Sequence, residues 1–592
     1  MSSISAATAA TTRVPVLIVG AGPAGLIAAA LLSQLGVEFL LLTDRHSPSV
    51  LPRAHVLNQR TVEVLRGLGL EEEVYRLGTP AGNMSRVGWY AGFGGTDRRC
   101  ASLELWGAGG GNPAWVAASP CRTANLPQHR LEELLLREVG ERAPGRVRFG
   151  HRVAAVTQSA SAVAAEVVTG DGEAPHVVEA DYLLACDGGR GIGTAAGIGT
   201  EGVDTIAHMV SVHFSADLSR SVDDEDVLLR WIWRPDTGTG VSLLPLGPDT
   251  WGGKSREWVL HLNETPGDAP PLDDSSAVEE LRTVLGMADD HVQVHRIMRW
   301  TVGGTVAERF REGRVFLLGD AAHRLPPTGG LGLNSAVQDA HNLAWKLTAV
   351  LGGHAEDALL DTYELERKTV AAANVRHSVN NAIGHLLAVE ALGLGPGGDP
   401  AENEAALRRL RSGLPEDADF RASVLRAVAA QSAEYNALNV EHGFAYPSGA
   451  IIPDGSPEPD NPDPVRVYQP NTRPGAPLPH AWLDSPHGAR TAVGDLVRPG
   501  RWLLIVGEEG DRWSTAAETL AAEERFLLDV VRIGHLRGDH LDARSTWTAS
   551  RGTGPDGAVL VRPDRVVAWR HVGATSAPEE DLRRVLTALL RG

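Results

Sequence analysis

Three glycines, Gly20, Gly22 and Gly25, stand in G-x-G-x-x-G spacing after an apolar run, and an acid, Asp44, follows about 20 residues on. The chemistry this pattern serves is dinucleotide binding. The first glycine allows a tight turn, the second lets a pyrophosphate approach the backbone, and the third packs helix on strand. The helix N-terminus offers free N–H groups to the phosphates, and the acid holds a ribose hydroxyl. Pro23, Ala24 and Arg45 belong to the same cofactor-binding unit. A second glycine-rich turn lies far downstream. Gly319-Asp320 ends an apolar run, Pro326-Pro327 follow, and Gly330, Leu331, Gly332, Leu333 and Asn334 open a long helix. A helix N-terminus carries roughly half a positive charge, which stabilises negative charge on a ring held against it. Asp320 is placed to accept from the hydroxyls of a linear polyol. Between the two turns, Arg53 and His55 sit on a loop beside the first helix.

These residues need elements to position them. Val14–Val19 reads as a strand, Ala24–Leu35 as a helix ended by Gly36, and Val37–Leu42 as a second buried strand. The stretch from Val14 to Val37 has no charge, but its Gly-Ala-Gly-Pro front argues against a membrane span. Helices are expected over Arg60–Leu68, Arg130–Glu138, Ser275–Leu285, Ser335–Leu351 and Asp361–Val379, with helical character to about Ser432. Val177–Cys186 reads as a strand that delivers Asp187, and Arg314–Leu318 as one that delivers Gly319 and Asp320. Between His208 and Trp300 four strands form one antiparallel sheet, with Trp231 and Trp233 on the same face by the two-residue strand period. That face either roofs an aromatic substrate pocket or is ordinary core. Pro447–Pro479, dense in Pro, Asp and Asn, reads as a linker. A small α/β domain follows from about Ala481. The division is a tail over 1–13, a dinucleotide-binding domain over 14–200 and 301–446, an inserted sheet domain over 201–300, a linker over 447–480 and a last domain over 481–592. The fold class is α/β: a Rossmann-like domain with an inserted antiparallel sheet, a helical region and a C-terminal module.

The chain has 592 residues, enough for about three domains. Its net charge of −19 is spread rather than blocked, which speaks against a nucleic-acid surface. The first residues lack the charged start and apolar core of a signal peptide. Cys100, Cys121 and Cys186 are far apart and odd in number, which suits a reducing cytoplasm and no disulfide frame. None stands in metal-ligand spacing, so no metal is expected. The partners are small molecules, with no nucleic acid and no membrane.

Taken together, GAGPAG with Asp44, PRAHVLNQRTVEVLRGLGL, NLPQ, Asp187-Gly188 and GDAAHRLPPTGGLGLNSAVQDAHNLAWKL closely resemble the class A flavoprotein aromatic hydroxylases. The phenol and 2-hydroxybiphenyl hydroxylases with an appended C-terminal domain are the nearest in pattern, and the resemblance spans nearly the whole chain. It implies FAD, NADPH or NADH as reductant, and O2. A flavin C4a-hydroperoxide then hydroxylates a phenol or a hydroxylated heteroaromatic ring such as a pyridinol, ortho to the ring oxygen. It implies that the first glycines, Asp44 and Arg45 hold the ADP half, that Asp320 holds the ribityl chain, and that the Leu331–Asn334 backbone faces the N1–C2=O edge. Arg122, Gln128 and Asp187 would lie near the cofactor. Arg53 would contact the pyrophosphate and help the ring swing between two positions, and Pro326-Pro327 would wall a dry oxygen site. His55 would take the phenolic proton. The alternatives are the same cofactor used for epoxidation or Baeyer–Villiger tailoring of a polyketide, and a non-catalytic flavin-binding sensor. The C-terminal module resembles a thioredoxin-like domain without C-x-x-C, which implies packing or dimer support rather than redox work. A homodimer or higher homo-oligomer is the family's habit.

Two motifs depart from the family pattern. Asn125 stands where some relatives carry Asp, which weakens a relay through His55. The family's D-G-x-x-S-x-V-R is here Asp187 to Thr194, with Gly191 and Thr194 in place of Ser and Arg. This implies slower reduction, a different donor, or a route through Arg190 alone.

Overall fold

The computed structural model describes residues 12–170, 175–263, 272–287, 291–395, 397–485, 487–523 and 526–592. The tail expected over 1–13 falls outside the described residues as far as residue 11, and the first strand already begins at Thr12.

The first layer is an eight-stranded sheet. Its central strand, Thr12–Val19, lies parallel to Phe39–Leu42 on one side and to His176–Ala185 on the other. His176–Ala185 in turn lies parallel to Val315–Leu317. Over the stretches where they pair in parallel toward their carboxyl ends, Val16–Val19, Phe39–Leu42, Leu183–Ala185 and Val315–Leu317, these four strands are apolar and buried, as parallel strands covered on both faces must be. Chain order reverses about Thr12–Val19, which makes its carboxyl end a topological switch point, where α/β sheets bind ligands. Four motifs emerge at carboxyl ends of this sheet: Gly20, Asp44, Asp187 and Gly319. The helix Pro23–Gln34 packs against Leu331–Leu351 and Gln128–Arg142. Gly22 is its N-cap and Pro23 its first residue, where a missing N–H costs nothing.

The second sheet also has eight strands, not the four read from His208–Trp300. The long strand Gln293–Ala307 pairs along Thr200–Ser215, and Arg86–Ala91 and Arg99–Glu104 close the far edge. Arg86–Ala91 runs parallel to Val227–Arg234, so this sheet is mixed, and part of it comes from the segment placed by sequence in the first domain. One face is covered by the helix Asp274–Leu285 over Val212, Phe214, Ile232, Leu243 and Leu260. The other face looks toward the first domain. Crossing beneath that face is the helix Thr362–Ala391, which continues well past the expected end at Val379.

Residues 447–479 contain no helix or strand. They are not loose, because Ala450 and Ile451 are buried. The last domain has a seven-stranded mixed sheet backed by Asp511–Ala521 and Pro578–Arg591. All three cysteines lie outside it and all are free.

Candidate active site

The glycines of the first turn separate into two kinds. Gly20 has φ +110°, and a Cβ there would stand 2.1 Å from the carbonyl oxygen of Cys186. A Cβ on Gly25 would stand 1.9 Å from the carbonyl oxygen of Gly20. These two let strand and helix touch. A Cβ on Gly22 would meet only the Arg45 guanidinium, at 3.6 Å. Gly22 therefore leaves open the space over the helix N-terminus, a cradle that a pyrophosphate fits. Replacing Gly22 by Val should leave the fold intact and weaken FAD binding by about tenfold or more. Gly20→Ala and Gly25→Ala should instead fail to fold. Thermal melting of flavin-free protein and a flavin-fluorescence titration separate the two cases.

Buried Glu132 organises this end. It accepts from Arg45 Nη1 at 3.0 Å, from the Ser49 amide at 3.2 Å and from Gln128 Nε2 at 2.7 Å. Arg45 and Gln128, expected at the cofactor, are thus fixed by one carboxylate that the sequence reading passed over. Its only signal was a Glu four residues after Gln128 on the apolar side of a helix. Asp44 is exposed and pairs with Arg190 Nη1 at 3.4 Å, a solvent-screened contact that a ribose hydroxyl can share. Asp187 caps its own turn, accepting from the amides of Gly189 and Ile192 at 3.2 and 3.1 Å. Arg122 lies over the ring of Tyr75, at 4.1 Å.

At the second turn Gly319 sits where two helices cross, and a Cβ would press on Ala336 at 3.1 Å and Ala24 at 3.2 Å. Its amide donates to Asp339, which also accepts from His323 Nε2 at 2.7 Å and Arg367 Nε at 2.8 Å. Burial pushes the Asp320 carboxyl above its usual range, against the pull of His323, Arg53 and Arg324. Arg53, though exposed, is therefore within electrostatic reach of Asp320. Asp320 keeps solvent-accessible surface, so its carboxylate can be reached by a ligand. Pro326 is buried and Pro327 exposed on the following loop. Gly330, at φ +65°, caps the helix Leu331–Leu351. The first-turn N–H groups of that helix, from Leu331, Gly332, Leu333 and Asn334, have no partner within it. The Asn334 side chain does a separate job. It accepts from the Asn58 amide at 2.9 Å and donates to the Val56 carbonyl at 3.1 Å, which clamps the His55 segment to this helix.

His55 precedes a two-stranded ribbon in which Val56 faces Asn125. Its Nδ1 lies 2.5 Å from Asn125 Oδ1, and Asn125 Nδ2 donates to Thr79 Oγ1 at 2.6 Å. With the amide nitrogen committed to Thr79, the amide oxygen accepts from Nδ1–H. Nε2 is left as an unprotonated acceptor, an assignment that rests on the hydrogen-bond network. Burial lowers the His55 pKa, and the Asn125 bond only partly offsets it, so the ring is neutral at pH 7. Asn125 thus orients His55 without supplying the charge an Asp would add.

The open face of the second sheet supplies a roof. Ser211, His261, Ser242, Trp231 and Trp89 are successive register partners across five strands. They form a row with hydrogen-bonding groups at one end and indoles at the other. His261 Nδ1 lies 2.7 Å from Ser211 Oγ, which also accepts from Trp300 Nε1 at 2.9 Å. Burial pushes the His261 pKa down to about 4, and His55 adds to the shift, so the two imidazoles lie within electrostatic reach of each other. Both keep some accessible surface. Trp231 donates to the Tyr435 hydroxyl at 2.8 Å and stacks on His385 with centroids 4.2 Å apart. Trp106 bridges the two sides, with its ring 6.2 Å from His55 and 6.4 Å from Tyr435. Trp233 is 3% exposed and belongs to the apolar core cluster with Leu394 and Leu407. Of the two tryptophans expected at the substrate, Trp231 is the one that reaches these polar groups. Ser211, His261, Trp106, His385 and Tyr435 were missed, because their convergence depends on pairings between distant strands.

Residues 13–378 match the model of the FAD binding domain family, and residues 471–591 match the aromatic-ring hydroxylase C-terminal family. The chain is 34% identical to a 2,4-dichlorophenol 6-monooxygenase of Delftia acidovorans, covering 97% of this chain and 98% of that one. It is also 34% identical to an aklavinone 12-hydroxylase of Streptomyces purpurascens, covering 98% and 99%. Among solved structures it resembles the flavin-dependent monooxygenase PieE in complex with FAD and substrate, with a TM-score of 0.90 and 37% identity over 98% of this chain and 99% of that one. The glycine cradle, the accessible Asp320 and the helix-opening turn are the parts such a cofactor requires, and no helix among the described residues is long and apolar enough to cross a membrane. The chain belongs to the FAD-dependent aromatic-ring hydroxylases, and is an oxidoreductase of the flavoprotein monooxygenase class.

Proposed function

We propose that this enzyme hydroxylates a phenol or a hydroxylated heteroaromatic ring ortho to its ring oxygen, and that the ring is borne on a larger apolar skeleton. The observation that carries the reading is the neutral His55, held by Asn125 and joined through the rings of Trp106 and Tyr435 to the Trp89 end of the Ser211–Trp89 row. Bound FAD supplies reduction by NADPH or NADH and the activation of O2. Asp320, Arg45, Gln128 and the first turn of the helix Leu331–Leu351 would hold it, with the charge of exposed Arg53 within electrostatic reach of Asp320. His55 Nε2 takes the phenolic proton and so raises electron density at the ortho carbon. Pro326 and the indoles of Trp106 and Trp231 keep water from the reacting ring.

Neighbouring strands lie about 4.8 Å apart, so the row from Ser211 to Trp231 spans ~14 Å, wider than one ring. The family includes enzymes named for a dichlorophenol and for aklavinone. The width of the row supports the larger substrate. A cytoplasmic homodimer completes the proposal, with the sheet domain of 201–300 enlarged by Arg86–Ala91 and Arg99–Glu104 from the first segment.

The test is turnover of FAD-loaded protein with NADPH or NADH, O2 and a panel of simple phenols, pyridinols and multi-ring phenols. The expected product gains one oxygen ortho to the hydroxyl, with the multi-ring compounds preferred in kcat/KM. Products oxidised at a ketone or an alkene, with phenols untouched, would overturn the reading.

A further inference from the structure

Glu434 is a nearly buried carboxylate outside every motif, and it serves two masters. Its Oε1 accepts from the Gly329 amide at 3.2 Å, and its Oε2 lies 2.7 Å from His385 Nε2. Gly329 belongs to the turn that opens the helix Leu331–Leu351, the helix end against which, on the proposed reading, the cofactor ring would lie. His385 stacks on Trp231, and Trp231 is tied to Tyr435, the residue next to Glu434. A single carboxylate therefore joins the cofactor turn to the substrate roof.

The surroundings of the turn make this link matter. Gly329 has φ +95°, and a Cβ there would meet Asn381 Nδ2 at 3.1 Å and His377 Cδ2 at 4.0 Å. Neither Asn381 Nδ2 nor His377 Nε2 has a hydrogen-bond partner. These groups crowd the turn without gripping it. Within the turn the Gly330 amide donates to the Pro327 carbonyl at 3.0 Å, and Asn334 Nδ2 ties the Gly330 carbonyl to its own helix at 2.6 Å. The polar grips from outside that helix are the Glu434 bond on Gly329 and the bond from Thr328 Oγ1 to the Ser378 carbonyl, at 2.6 Å.

We propose that Glu434 is a positioning residue that couples occupancy of the substrate roof to the Gly329–Gly330 turn. A ring settling against Trp231 moves His385, and His385 and the Gly329 amide share one carboxylate. The turn thus takes up its productive position only when substrate is seated. The proposal rests on the hydroxylase reading for the identity of the ring, but the hold of Glu434 on the turn does not.

The experiment uses full-length, FAD-loaded protein and the variants Glu434→Ala, Glu434→Gln and His385→Ala. Two quantities are read. One is amide hydrogen exchange over residues 328–331. The other is the ratio of anaerobic flavin reduction rates with and without the best phenol of the panel. Glu434→Ala should speed exchange at the turn by about tenfold and bring the reduction ratio close to one. Glu434→Gln keeps an acceptor for the amide and should restore most of both. His385→Ala should leave exchange at the wild-type level yet lose the substrate effect, a separation that general destabilisation does not produce. Unchanged exchange in Glu434→Ala, or a wild-type ratio in His385→Ala, overturns the proposal. If wild type makes product but shows no substrate effect on reduction, the coupling falls and the hydroxylase reading stands. If no compound yields product, the hydroxylase reading falls, and the exchange comparison alone upholds or overturns the hold on the turn.

Discussion

Replacing His55 by Gln lowers hydroxylation turnover at pH 7 by about 100- to 1000-fold, the range typical of a lost general base. Gln fills similar space but cannot accept and carry away a proton. The wild-type ring is competent because burial holds its pKa below the ordinary 6.5. The sign follows directly. The base form is present above that depressed value, so activity is flat through neutral pH and falls only on the acid side of 6.5. In the variant that acid limb disappears. Activity instead rises with alkaline pH, as the phenol ionises by itself near pH ~10, the value of an ordinary phenolic hydroxyl. Asn125→Ala keeps the base and loses its orientation, so it should cost about tenfold, with the acid limb retained at a lower pH. That limb moves down because the Asn125 bond is what raises the His55 pKa against burial. Steady-state pH profiles of product formation decide the matter. A His55→Gln enzyme with wild-type turnover and an unchanged acid limb would assign the proton transfer elsewhere.

How far the sequence carried this site depends on the range of the contacts involved. The cofactor cleft was legible because its parts are local. Gly20, Gly22 and Gly25 act within one turn, and the Gly330 cap opens a helix three residues before Leu333. The periodicity that announced Val14–Val19 as a buried strand also placed Gly20 at its end. The substrate roof was half legible. Alternation put Trp231 and Trp233 on one face, but only strand order reveals which of them meets the cavity. Trp231 lies in register with Ser242, and Ser242 with His261, and no spacing within the chain encodes that row. The strand Gln293–Ala307 was missed because much of it is exposed and polar, with the pattern of an edge rather than a core. Glu132 and Glu434 were passed over for a related reason. A buried carboxylate has the same letter as a solvated one, and only its partners distinguish them.

Replacing Arg562 by Met destabilises the protein by about 3–5 kcal/mol, the cost of orphaning a buried charge, and releases FAD before global unfolding. Arg562 lies in the C-terminal domain, in the segment between its last two strands, and reaches into the first. It grips Glu366 with both terminal nitrogens, at 2.7 and 2.8 Å, and holds Asp564 at 2.5 Å. Lys346 and Asn342 bind the same Glu366 at 2.7 and 2.6 Å, and the linker adds the Ala450 amide at 2.8 Å. Burial alone would push the Glu366 carboxyl up, but Arg562 and Lys346 bring it down to about 2. Glu366, Arg562 and Lys346 have fully buried side chains, so two anions are balanced by two cations away from water. Removing Arg562 leaves Asp564 and Glu366 sharing Lys346 alone. The damage then runs inward, because Tyr446 Oη accepts from both Asn342 and Arg367 at 3.4 Å, and Arg367 holds the Asp339 that fixes Gly319. Flavin retention should therefore fail at lower urea than the far-ultraviolet signal. Adding Glu366→Gln removes the orphaned charge and should recover part of the loss, since the two residues are in direct contact. If Arg562→Met unfolds no earlier than wild type and keeps its flavin, the C-terminal domain is an independent appendage. If the two transitions separate as described, its work in this enzyme is to hold the floor of the cofactor turn by charge.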